Sequence, residues 1–110
     1  MNNGASEGNR LERRKAPRYR YRVALEIEWG SARLSARTRD ISDGGMFIEA
    51  EDILWVGAGF RARLGVDHPV WLDCLVKRVE PGSGMGVTVM LREDRSQRHY
   101  QELLAKLAAS

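Results

Sequence analysis

The chain has a single cysteine, Cys74, among its 110 residues. That excludes an internal disulfide framework and fits a reducing, cytoplasmic setting. It has no run of ~18 apolar residues, so no membrane-spanning helix is expected. The opening MNNGASEGNR lacks the apolar core of a secretion signal. It reads as a disordered tail, residues 1–10. Residues for catalysis are equally scarce. The two histidines are His68 and His99, and neither has a Cys, His or carboxylate at metal-ligand spacing. There is no G-x-S-x-G, no P-loop and no dinucleotide fingerprint. Cys74 lies mid-strand between alternating apolar neighbours and reads as a packed core thiol. No catalytic residue, metal or cofactor is assigned, and the expectation is that this is not an enzyme.

What the chain does have is positive charge in one place. Residues 10–22 hold seven cations, from Arg10 to Arg22, against the single Glu12, a net of +6. The chain as a whole carries +3, so everything else sums to −3. Charge gathered this way points to an anionic partner: nucleic acid, a lipid headgroup or a phosphorylated small molecule. A solubilising basic tail is the plainer reading.

After Tyr21 the pattern turns to period two. In YRVALEIEW, Tyr21, Val23, Leu25, Ile27 and Trp29 share one face, which predicts a half-buried strand. Gly30-Ser31 turns the chain into RLSARTRDI, a second strand. MFIEA, FRARLGV, VWLDCLVKRV and MGVTVML predict four more. In VWLDCLVKRV, Val70, Leu72, Cys74 and Val76 face one side and Trp71, Leu75 and Val79 the other. Asp67-His68-Pro69 and Pro81-Gly82-Ser83-Gly84 are the turns between them. Asp94 or Ser96 then caps an amphipathic helix with Tyr100, Leu103, Leu104 and Leu107 on one face. Six short strands in one small domain, residues 11–110, suggest a closed barrel over 21–92 with a C-terminal helix over 94–109.

Two motifs carry the chemistry. The first is the R-x-x-x-R of Arg14 and Arg18, broken by Pro17 and hence a loop. Two guanidiniums on a bent loop can clamp an anion, since the planar fork binds phosphate bidentately and its face stacks on bases. The second is the D-x-S-x-x-G of Asp40, Ser42 and Gly45. Period two puts Asp40 and Ser42 on the same side. A carboxylate accepts from two N–H donors such as guanine's Watson–Crick edge, while guanine O6 and N7 suit an arginine fork. Ser42 can bond phosphate or base, and Gly45 lets backbone come close to a ligand. Alternatively, these three residues simply build a turn.

ERRKAPR followed by RDISDGG resembles the PilZ domain family, the bacterial receptor module for cyclic di-GMP. The resemblance extends to MGVTVM and the trailing helix and covers roughly residues 12–108. It implies a mainly all-β fold: a six-stranded antiparallel barrel with a flexible N-terminal loop, here 11–20, and a C-terminal helix. It implies that Arg14 and Arg18 fold over guanine and phosphate while Asp40, Ser42 and Gly45 contact a guanine from the barrel. Binding reorders the loop and changes what the protein touches, without catalysis. Arg13 adds a third guanidinium beside this pair, and a stacked pair of ligands carries more charge to compensate. Arg13 is therefore assigned to binding of a stacked pair.

Two other functions remain open at this level. One is a PilZ-like protein-interaction domain without ligand binding. The other is a basic-armed barrel that binds nucleic acid, less favoured because the rest of the chain is acidic and shows no aromatic-studded basic strand. The downstream protein partner is not named by the sequence, and a monomer or weak homodimer is expected. Ile53, Leu54, Trp55 and Val56, in the irregular EDILWVGAG, are read as a plug for one end of the barrel.

Overall fold

The computed structural model describes residues 17–65 and 68–110. Alternating apolar residues build seven strands: β1 (Tyr19–Arg20), β2 (Ala24–Trp29), β3 (Ala32–Ile41), β4 (Gly45–Glu49), β5 (Gly59–Leu64), β6 (Val70–Glu80) and β7 (Gly84–Met90). They are followed by one helix, α1 (Asp94–Ala109). The strands form one antiparallel sheet in the order β1-β3-β2-β5-β6-β7-β4, and a further β3–β4 pairing closes it. Six strands thus make the expected closed barrel. The two-residue β1 is an addition, pairing Tyr19 with Ile41 and Arg20 with Asp40. The end of the predicted arginine loop is therefore a strand, because its backbone finds the free side of β3 beyond β2.

The interior is filled from every strand, by Leu25, Ile27, Ile41, Met46, Ile48, Leu72, Val76 and Met85 among others. Two bulges decide which side chains leave it. In β3 the register shifts between Thr38 and Asp40. Without that shift Asp40 would follow Leu34, Ala36 and Thr38 toward the core; with it, Ile41 is buried and Asp40 points out. The Thr38 hydroxyl repairs the irregularity, donating to Tyr21 O and accepting from Val23 N (3.1 Å). In β6 a second shift falls between Val76 and Arg78. It corrects the simple alternation: Val79 packs against the core, and Arg78 goes to the outside. Bulges commonly re-aim a side chain in this way.

The barrel has two unlike ends. One is closed by α1, whose Tyr100 and Leu104 are buried in the core. The helix starts after Glu93, which occupies the N-cap, so Asp94 lies in the first turn and Ser96 inside the helix; neither is the cap. Asp94 there still complements the helix dipole. The other end holds the β2–β3 turn, the β6–β7 turn and residues 50–58. The expected apolar plug is only partly there. Leu54 and Ala58 are buried, but Trp55 and Val56 are each 59% exposed. Backbone bonds from Gly57 N to Val76 O and from Val76 N to Ala58 O hold this segment against β6, and Trp55 packs edge-on against Trp29 rather than inward.

Candidate functional site

At the helix-capped end, the two sequence motifs meet. Arg18 stands just before β1, and pairing of β1 with the end of β3 brings it over Asp40. Arg18 Nε and Nη2 both donate to Asp40 Oδ1, at 3.0 and 2.8 Å. Its Nη1 reaches Ser42 Oγ at 3.4 Å. Asp40 Oδ2 accepts from Arg39 Nε at 3.2 Å. The site thus holds one carboxylate with both oxygens engaged by guanidiniums. Arg13 and Arg14 lie outside the described residues.

The turn that carries Ser42 is held from two sides. Ser42 N donates to Gly45 O at 2.8 Å, closing the turn on itself. From the helix, Tyr100 Oη donates to Ser42 O at 2.7 Å, and Gln101 Nε2 to Asp43 Oδ1 at 3.0 Å. Tyr100 is fully buried. Its hydroxyl is pushed well above the ordinary range, by burial first and then by Cys74 and Asp43, with Arg18 acting the other way. It is therefore a neutral donor at any ordinary pH. Gly45 also has a packing duty. A Cβ there would lie 2.3 Å from Val87 O, so the glycine is required by close approach of β4 to β7. Gly44, beside it, would meet nothing within 4 Å.

A third component could not be read from the motifs. Phe47 pairs with Asp40 on one side and Gly86 on the other. It is fully buried yet stands apart from the core cluster, since it lies on the outer face of the barrel. Two arginines cover it: the Arg39 guanidinium lies 3.7 Å from the ring centroid and that of Arg78 5.8 Å. Gly86 makes room for this cover, because a Cβ there would be 2.9 Å from Arg78 Nε. Of the hairpin glycines only Gly82 has a positive φ, +81°. Gly84 and Gly86 are strand residues that serve close packing, so Gly84 begins the strand rather than forming the turn. Glu80 holds both covering arginines, at 3.8 Å from Arg39 and 3.4 Å from Arg78.

Chemically, the arrangement offers a carboxylate acceptor, a hydroxyl, an aromatic face under two cations and several fork-shaped donors. It suits a flat, hydrogen-bonding, anionic ligand. Among the described residues no His/Cys/Asp/Glu group is arranged to hold a metal. Cys74 is buried and its thiol is pushed up by burial and by Asp73, so it is inert core.

A closed antiparallel barrel with a helix at one end defines a class of small β-barrel domains. The chain belongs to the PilZ domain family, whose model matches residues 12–108. This is a family of cyclic di-GMP receptor and adaptor domains. Among solved structures, the chain is similar to the PilZ domain of CeSA from a cellulose-synthesizing bacterium. The TM-score is 0.68 at 18% identity, over 84% of this chain and 99% of that one. It is also similar to the Bacillus subtilis inhibitor of motility MotI/DgrA, with TM-score 0.67, 16% identity, and coverage of 89% of this chain and 52% of that one. At these identities the likeness concerns the fold. No curated protein matches the sequence.

Proposed function

We propose that this domain is a cyclic di-GMP receptor that signals through protein contacts. The observation that carries the reading is the fork of Arg18 on Asp40 and Ser42. It joins two motifs 22 residues apart in the sequence at one point on the barrel surface. A guanidinium fork and the Watson–Crick edge of guanine, N1–H with N2–H, are alike as donors. Guanine can therefore take the place of Arg18 on Asp40. The released Arg18, with Arg14 and Arg13, is then free for guanine O6 and N7 and for the phosphates. Displacement of Arg39 or Arg78 from Phe47 would open an apolar face for a base. The exchange at Asp40 replaces one charge-assisted bond with another, so the loop moves with little net loss of bonding.

Ligand recognition in this account rests on Arg13, Arg14, Arg18, Asp40 and Ser42, with Gly45 shaping the turn. Arg13 provides the extra positive charge that a stacked ligand pair needs, so two ligands per domain are expected at saturation. Among the described residues, four of the barrel's other arginines are already matched to carboxylates. Arg22, Arg33, Arg63 and Arg92 are paired with Glu49, Glu26 and Glu28, Glu26, and Asp73. This favours a small anionic ligand over a polynucleotide.

The test is a competition between cyclic di-GMP and cyclic di-AMP. Adenine lacks the N1–H donor, so it should bind at least ~100-fold more weakly, and Asp40→Ala should remove most of the difference. Equal binding of the two nucleotides would sink the proposed role of Asp40.

A further inference from the structure

The barrel's other end carries an interface of its own. β3 is ten residues long, while β4 covers it only from Arg37 to Ile41. On its opposite side, β3 pairs with β2 from Ala32 to Arg37. Thr38 N donates to Val23 O, toward the β2 side. Backbone groups alternate along an antiparallel strand, so Ala36, Leu34 and Ala32 point to β2, and Arg33 and Ser35 point away from it. The chain leaves the sheet after Glu49, where a longer β4 would have paired with these two residues. Among the described residues no loop backbone bond reaches Arg33 or Ser35. In place of the missing strand is an open groove of about 890 Å³ between this edge and Glu51, Asp52 and Ile53.

We infer that this edge takes an added strand from a protein partner. The groove continues the line of β4, and its sides give the partner's chemistry. Inward positions of the added strand would face Leu34, Ala36 and Ile53, all partly buried against the core. Those positions call for small apolar residues. Outward positions would lie opposite Ser35 and Arg33. β4 itself sets Glu49 opposite Arg37. Arg33 is exposed and held only loosely by Glu26 and Glu28, at 3.7 Å each, so one cross-strand acid can compete for it, while Glu51 and Asp52 on the far wall disfavour any second acid. At the far end, Trp29 pairs with Ala32 and carries the exposed Trp55, an aromatic step for one further apolar residue. The partner segment is thus extended, in the order apolar, polar, apolar, acidic, apolar. A second copy of this chain does not fit that description. Edge-to-edge pairing would set Arg33 and Arg37 opposite or diagonal to their own copies, which is unfavourable. Main-chain bonds would supply affinity and the alternate side chains specificity.

This inference is independent of the nucleotide reading, and its test needs no nucleotide. In the free full-length protein, amide exchange followed by NMR should be fast at Arg33 and Ser35 and slow at Leu34 and Ala36. Selection from a displayed library of random ten-residue peptides should enrich the pattern above. Ser35→Pro removes a donor that faces the groove and not β2, so the barrel keeps its ladder. It should weaken the selected peptides at least ~10-fold. Arg33→Glu, which leaves the backbone intact, should shift selection from acidic to basic residues at one position. Slow exchange at Ser35 in the free protein would overturn the proposal, as would failure to enrich any peptide. Peptide binding indifferent to both substitutions would also overturn it. So would a concentration-dependent dimer lost in Ser35→Pro, which would assign the edge to a second copy.

Discussion

The two ends of β3 receive opposite treatment. At Asp40 and Ile41 the strand has β1 on one side and β4 on the other. The turn that follows is bonded to the helix by Tyr100 and Gln101. At Arg33 and Ser35 the same strand has a neighbour on one side only. The first end is pre-organised, with its polar groups already engaged by one another. The second is unfinished, with backbone donors and large apolar side chains left to solvent. Rigidity suits recognition of a small, fixed ligand, and an open edge suits a chain that brings its own backbone. One strand connects them, some seven residues and roughly 20 Å apart.

The sharpest break in this comparison is Gly45→Ala. The new methyl would meet Val87 O at the capped end, and a loss of about 3 kcal/mol in denaturant unfolding is expected. Gly44→Ala, one residue away in open space, should leave stability within about 0.5 kcal/mol. Next is Tyr100→Phe. Removing the hydroxyl leaves Ser42 O without its helix partner, which should cost about 1.5 kcal/mol and loosen the site.

The same residue makes the capped end sensitive to alkali. Cys74 and Tyr100 ordinarily ionise near 9.0 and 10.0, and burial raises both in the folded protein. Above those values the unfolded chain releases protons that the folded chain retains. The contribution of these two groups is therefore fully present below their ordinary values and is lost as pH rises, first for the thiol and then for the phenol. Tyr100→Phe should remove the larger share of that later loss in a pH series of unfolding curves, the remainder coming from Tyr21, whose phenol is also raised by burial.

Smaller still is the stability effect of Asp40→Ala. Arg18 is about half exposed, and the pair is worth less than about 1 kcal/mol to folding. Its effect on ligand binding should be far larger. At the open end, Trp55→Ala should change stability least, by about 0.5 kcal/mol, because most of its surface is already in water.

Much of this was legible in the sequence, for local reasons. Period-two alternation located the barrel strands, and the spacing of Tyr100, Leu103, Leu104 and Leu107 located the helix. The D-x-S-x-x-G residues were visible as a turn with chemistry. What was not legible depends on contacts between distant segments. The bulges at Thr38–Asp40 and Val76–Arg78 reverse the phase of a strand, and nothing in RTRD or VKRV announces them. The place of Phe47 could not be read, because alternation does not say which face of a closed barrel is covered by arginines from elsewhere. Tyr100 offered a signal that was missed: a tyrosine on an otherwise leucine-lined face needs a partner for its hydroxyl. The plug reading of Trp55 failed because hydrophobicity gives no direction, and Leu54 and Ala58 already fill that end. The free edge of β3 follows only from the unequal lengths of two paired strands.

The most direct test of the central claim is isothermal titration of the full chain with cyclic di-GMP, alongside Asp40→Ala and Arg14→Ala. The account predicts saturable binding by the wild type, two ligands per domain, and loss of binding in both variants with the fold intact. No heat at roughly 100 μM ligand, where even a ~10 μM site would be largely filled, would contradict it.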